Sequence, residues 1–134
     1  MSDQSGNIQM VKKLYAAFAD RNIEAILAML SPDIEWGEPE NPFNPCGGNH
    51  YGHSGFLEWA NTGREAEEIL MLEPRKMLVD EDSVAVVGFM KCRARKTGKE
   101  YESDFVHLIT IKDSKVVRFF EFFDTYAAGE AFRT

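Results

Sequence analysis

Val116-Val-Arg-Phe-Phe-Glu-Phe-Phe-Asp124 is apolar or aromatic on both faces of the strand it predicts. Alternation sends Val116, Phe120, Phe122 and Asp124 to one side, and Val117, Phe119, Glu121 and Phe123 to the other. A strand of this kind is buried on both sides. A carboxylate within it is costly to ionise unless it is paired, hydrated or used. The stretch therefore predicts a pocket with an acid at its wall, on a strand running to Tyr126.

Upstream, Lys112-Asp-Ser-Lys115 is a hairpin turn, and the strand before it places Tyr101, Phe105, His107, Ile109 and Ile111 on one face. A regular hairpin sets residue 107 opposite residue 120, the face that also holds Phe122 and Asp124. His107 and Asp124 are then expected to reach one cavity from neighbouring strands. Thr97-Gly-Lys99 is another hairpin turn, preceded by a strand over Val84–Lys96 and by a broken strand pattern over Glu67–Asp80.

The first half is helical. Ile8, Val11, Leu14, Tyr15 and Phe18 recur at helical spacing after a frayed terminus, residues 1–7. Asn22 is a candidate cap for a second helix with Ile23, Ile26, Leu27 and Leu30 on one side. Asp33-Ile-Glu-Trp36 reads as a short strand. Gly37–Gly55, with three prolines and five glycines, shows no period and is expected to border a site. Phe56, Leu57, Trp59 and Ala60 suggest a third helix ending near Gly63. Helices followed by an antiparallel meander predict an α+β fold, with helices on one face of a curved sheet above a small-molecule cavity.

The chain has 134 residues, enough for one domain and one core, and 44% of them are apolar. Its net charge of −7 opposes general affinity for nucleic acid. No apolar run is long enough to cross a membrane, and the N-terminal residues lack a secretory pattern. Cys46 and Cys92 make no disulfide framework, so a soluble cytoplasmic protein with free thiols is expected. Cys46, His50 and His53 have a spacing that invites zinc, but no carboxylate or further cysteine completes a set nearby, and no metal is expected.

Several segments together resemble a known group: Val11-Lys-Lys-Leu-Tyr-Ala-Ala-Phe18, Ile26-Leu-Ala-Met-Leu-Ser-Pro-Asp-Ile-Glu-Trp36, Tyr51-Gly52, Phe105-Val-His107 and Lys115–Asp124. They resemble the SnoaL-like group, which includes ketosteroid-isomerase-related proteins and lies within the nuclear transport factor 2-like superfamily. The resemblance spans about Ile8 to Tyr126 and implies one SnoaL-like domain over residues 1–134. It implies a cone-like fold, with three N-terminal helices on a strongly curved, mostly antiparallel sheet enclosing a pocket. It also implies a homodimer formed through the outer sheet face.

In ketosteroid isomerases a general-base aspartate precedes a proline after the first strand, and Glu38-Pro39 sits at the matching place. The oxyanion donors of those enzymes match Leu14 and Val106, neither of which has a side chain that donates, so steroid isomerisation does not carry over. Tyr15 is one position off. The late aspartate and nearby histidine of SnoaL-type cyclases look like Asp124 and His107.

Asp124, His107 and Glu38 are thus the candidate catalytic residues, with Trp36, Tyr15, Phe105, Phe120 and Phe122 as candidate pocket lining. Glu121 is read as structural or interfacial. Two functions follow as expectations. One is a cofactor-free isomerase or cyclase doing acid–base chemistry on a small hydrophobic carbonyl compound. The other is non-catalytic binding of a small hydrophobic molecule. Neither involves nucleic acid or a membrane.

Overall fold

The computed structural model describes residues 4–134. In chain order the elements are α1 (Gln4–Ala19), α2 (Ile23–Met29), β1 (Leu30–Glu38), β2 (Gly48–Tyr51), α3 (Gly52–Ala66), β3 (Glu67–Asp80), β4 (Ser83–Ala94), β5 (Glu100–Lys112), β6 (Lys115–Phe123) and α4 (Thr125–Phe132). Four helices pack on one open sheet ordered β2-β1-β6-β5-β4-β3. All neighbours are antiparallel except β1 and β6, which run parallel. The fold is α+β as expected. The sheet is mixed, and a fourth helix follows it.

The residues explain the elements. Val11, Leu14 and Ala17 form the buried stripe of α1. Asn22 caps α2, its side chain accepting from the Ala25 N–H at 3.0 Å. β4 alternates without a break, with Val84, Val86, Met90, Cys92 and Ala94 turned inward. Gly88 belongs to that inner row because a Cβ there would lie 2.4 Å from the Phe105 ring and 2.5 Å from the Glu73 carbonyl oxygen. No helix among the described residues is long and apolar enough to cross a membrane.

Three expectations about element boundaries need correction. The expected flexible terminus, residues 1–7, is helical from Gln4 onward, and residues 1–3 lie outside the described residues. Gly37–Gly55 is not one loop: β1 and β2 form a hairpin pairing Glu35 with Tyr51 and Glu38 with Gly48. The last strand ends at Phe123, not Tyr126, because Asp124 accepts from the Ala127 N–H at 3.0 Å and starts α4. Small residues then let that helix dock tightly through buried Ala128, Gly129 and Ala131.

The largest difference is one of register. Ile111 pairs with Val116 as a regular turn requires, but the ladder then shifts by one, so that Thr110 pairs with Arg118 and His107 with Glu121. A bulge inserts one residue and exchanges the faces beyond it. Phe119, Glu121 and Phe123 therefore turn inward together with Val116. Phe120 and Phe122 turn outward.

Candidate functional site

The inner face of the sheet gathers polar groups between aromatic walls. The Tyr15 hydroxyl lies 2.5 Å from His107 Nδ1, and His107 Nε2 lies 2.5 Å from Glu121 Oε2. α1, β5 and β6 each supply one of these residues. With Glu121 as a carboxylate and His107 as a neutral imidazole, Nε2 donates to Glu121 and Nδ1 accepts from the Tyr15 O–H. His107 is sandwiched against Phe105, ring centres 4.1 Å apart, with Phe119 at 4.8 Å. Burial, and then the charge of Glu121, push the Tyr15 phenol well above its usual range. A free tyrosinate is therefore disfavoured.

Glu38 forms a second station. It is 5% exposed, its Oε1 accepts from Asn44 Nδ2 at 2.8 Å, and its Oε2 accepts from Trp59 Nε1 at 2.9 Å. Burial, then Glu121, push its carboxyl up to about 8, against the lowering effect of those two hydrogen bonds. It is therefore mostly neutral at pH 7. Glu67, at the start of β3, accepts from the Tyr101 hydroxyl at 2.6 Å. Burial raises it to about 7; the Tyr101 bond opposes the rise and Glu121 adds to it. Three acids from β1, β3 and β6 thus influence one another across one interior. Burial also pushes the Cys46 and Cys92 thiols up to about 12, so neither is a ready nucleophile.

Trp36 lies between the two stations and is 0% exposed. It stacks on Phe119 at 3.9 Å and touches Phe56 and Trp59 at ring distances of 4.7 and 5.2 Å. The inner face is open along β3. Ile69 and Leu72 pair with the inward-facing Cys92 and Met90, yet are 59% and 37% exposed.

Of the sequence candidates, Tyr15, Trp36, Glu38, Phe105 and His107 lie on this inner side. Asp124, Phe120 and Phe122 do not. Asp124 is exposed and caps α4, and its N–H donates to Ser103 Oγ at 2.8 Å. It borders a surface cleft of about 490 Å³ lined by Phe89, Glu102, Ser103 and Asp104. The residue that meets His107 is Glu121. Sequence reasoning set Glu121 aside and missed Glu67 and Tyr101 as well. The alternation of β5 puts Tyr101 on the face of His107, so that signal was present for Tyr101. His50 and His53 serve the backbone, at 3.3 Å from the Cys46 carbonyl oxygen and 3.0 Å from that of Leu30. Among the described residues no group of three or more His, Cys, Asp or Glu is arranged to hold a metal ion.

The SnoaL-like domain signature matches residues 11–119. The chain belongs to the SnoaL-like domain family. It shares the nuclear transport factor 2-like fold with an NTF2-like protein from Burkholderia xenovorans LB400, at 32% identity over 99% of this chain and 100% of the other, TM-score 0.91. It is similar also to TerC, solved in a co-crystal with polyporic acid, at 34% identity over 96% of this chain and 98% of the other, TM-score 0.85. A provisionally named isomerase from Rhodopseudomonas palustris shares the fold at 16% identity over 93% and 94% of the two chains, TM-score 0.76. No protein of curated function is detectably similar in sequence.

Proposed function

We propose that this SnoaL-like protein is a cofactor-free acid–base catalyst of the isomerase or cyclase type, acting on a small hydrophobic carbonyl compound. The observation behind this reading is the Tyr15–His107–Glu121 chain held between aromatic rings. Such a chain moves a proton without leaving a charge on its middle members. A substrate C–H proton passes to the Tyr15 oxygen, the Tyr15 proton passes to Nδ1, and the Nε2 proton passes to Glu121. Tyr15 and His107 end neutral, and Glu121 ends as a carboxylic acid. The same steps reversed return the proton at a second substrate atom, which completes an isomerisation or allows a ring closure. Uptake of the proton neutralises Glu121 and moves its negative charge to the substrate. The resulting enolate is the species a neutral Glu38 can serve as acid.

Exposed Ile69 and Leu72 mark the side from which a hydrophobic molecule reaches Tyr15. The likeness to TerC makes polyporic acid the first compound to test for binding. Turnover is tested by hydrogen–deuterium exchange of small aryl ketones with an acidic α-hydrogen. Wild-type protein should catalyse exchange, and Tyr15→Phe and Glu121→Gln should each slow it about 100-fold or more. Binding with no exchange in any ketone would favour the alternative, a non-catalytic carrier.

The proposal includes a homodimer. The outer sheet face presents Leu78 (51% exposed) and Phe122 (48% exposed) beside half-buried Val87, Phe89 and Phe120, with Arg75 over the Phe89 ring at 5.1 Å. A contiguous apolar patch of this kind is unusual on a monomer.

A further inference from the structure

The Trp36 indole Nε1–H is fully buried and has no hydrogen-bond partner among the described residues. A buried, unpaired donor costs about 1–3 kcal/mol and calls for an explanation. Its surroundings limit what that explanation is. The rings of Phe18, Phe56, Trp59 and Phe119 enclose the indole at centroid distances of 5.7, 4.7, 5.2 and 3.9 Å. A buried water needs two to four polar partners, and an aromatic nest supplies few. A ligand oxygen attached to an otherwise apolar molecule needs only the one donor.

A second donor stands on the same strand face. Glu38 follows Trp36 by two residues, which sets their side chains on one side of β1 about 7 Å apart along the strand. Trp59 links the two, donating to Glu38 while its ring lies 5.2 Å from that of Trp36. Both Glu38 oxygens already accept one hydrogen bond each, from Asn44 and Trp59. A neutral Glu38 therefore has one O–H left to give, and no acceptor stands against it among the described residues.

We infer that Trp36 Nε1–H, with Glu38 beside it, receives a carbonyl or enolate oxygen of the ligand, so that the ligand is an aromatic carbonyl compound held by its oxygen at β1. The inference rests on the ligand class proposed above and places the ligand's oxygen at β1 while its reacting C–H faces Tyr15. It makes Trp36 a binding and positioning residue rather than a wall. The nest of rings suits a flat, aromatic molecule, and the two donors suit one whose oxygen gains negative charge when a C–H proton is lost to the relay.

The test uses the whole protein and polyporic acid as the probe. Trp36→Phe keeps a ring and removes the N–H, so it should bind the probe about tenfold more weakly than wild type, equivalent to roughly 1.4 kcal/mol. The chain has two tryptophans, so the indole N–H region of a ¹H–¹⁵N spectrum holds two signals. In the wild type the Trp36 signal, distinguished by a Trp59→Phe variant, should move downfield as the probe is added. This second measurement decides the matter if Trp36→Phe does not fold. Equal affinity in Trp36→Phe, or a bound probe that leaves the Trp36 signal in place, overturns this inference and leaves the acid–base reading intact. A wild type that binds no polyporic acid overturns the ligand class and this inference together. Tight binding with a shifted Trp36 signal and no ketone exchange supports the inference and overturns the catalytic reading alone.

Discussion

The two faces of this sheet are built from similar residues and behave differently. Inside, Phe105, Phe119 and Trp36 are buried, and between them sit Glu38, Glu67, Glu121 and His107, each hydrogen-bonded. Outside, Phe89, Phe120 and Phe122 stand beside Leu78, and the acid opposite Phe89, the exposed Glu73, accepts only from Arg75, at 3.1 Å. Aromatic content alone therefore does not locate the site. What distinguishes the inner face is that its polar groups answer one another. Outside, the charged residues pair along the rim, as Arg93 does with Glu100 at 2.8 Å and Lys91 with Glu100 at 3.4 Å. Exposed pairs of that kind add little stability.

The strongest way to break the comparison is to change the pH. Glu38 and Glu67 are raised in the folded protein, to about 8 and about 7, chiefly by burial. A raised folded pKa means that the folded state holds the proton more tightly than the unfolded chain does. The stability these protons contribute is fully present below about pH 4.5, where both states are protonated. It is lost as pH rises through the folded values, and the loss is complete near pH 8. For Glu38 alone the span of about 3.5 pKa units corresponds to roughly 5 kcal/mol, an upper figure because the acids are coupled. Chemical denaturation should show stability falling between pH 5 and 8. Glu38→Gln should flatten much of that slope. It should also be less stable at pH 5, because an NH₂ donor replaces one of the two oxygens that accept from Asn44 and Trp59. A wild-type stability that is constant across this range would mean that the interior acids are hydrated, and that the two faces differ less than their geometry says.

The outer face is tested by a charge. Phe122→Glu should weaken self-association about 100-fold, near 2–3 kcal/mol, by setting a carboxylate in an apolar interface. Light scattering at micromolar concentration reads this directly. A monomeric wild type would remove the distinction, since the outer aromatics would then simply be exposed.

Much of this division was legible in the sequence. The spacing of Val11 and Leu14 gave the inner stripe of α1, and the alternation from Tyr101 to Ile111 put His107 and Phe105 on one buried face. The faces of β6 were not legible, because the shift between Thr110 and Ile111 falls opposite Val116 and Val117, both apolar and both compatible with either side. One inserted residue then moved Phe120 and Phe122 from the expected pocket to the outer surface, and moved Glu121 in. Glu67 was hidden for a different reason. It lies at the boundary of α3 and β3, where neither the helical nor the strand period applies, and only the tertiary contact with Tyr101 gives it a role.

Asp124 looks catalytic in the sequence and stands in the structure as a helix cap. It stands three residues after Glu121 and has the same chemistry, yet its side chain satisfies the Ala127 N–H at the first turn of α4 instead of meeting His107. Its effect should be that of a helix cap. Asp124→Ala should lower stability by about 1 kcal/mol, a shift of a few degrees in melting temperature for a domain of this size. Asp124→Asn, which keeps the accepting oxygen, should restore most of it. Ligand affinity and ketone exchange should be the same in all three proteins. Glu121→Gln should show the reverse pattern, with slow exchange and a melting temperature close to wild type, because the amide oxygen still accepts from His107 Nε2–H but cannot take up its proton. If Asp124→Ala slowed exchange as strongly as Glu121→Gln, the last turn before α4 would have to open and bring Asp124 inward during turnover. The separation of the two faces would then belong to the resting protein alone.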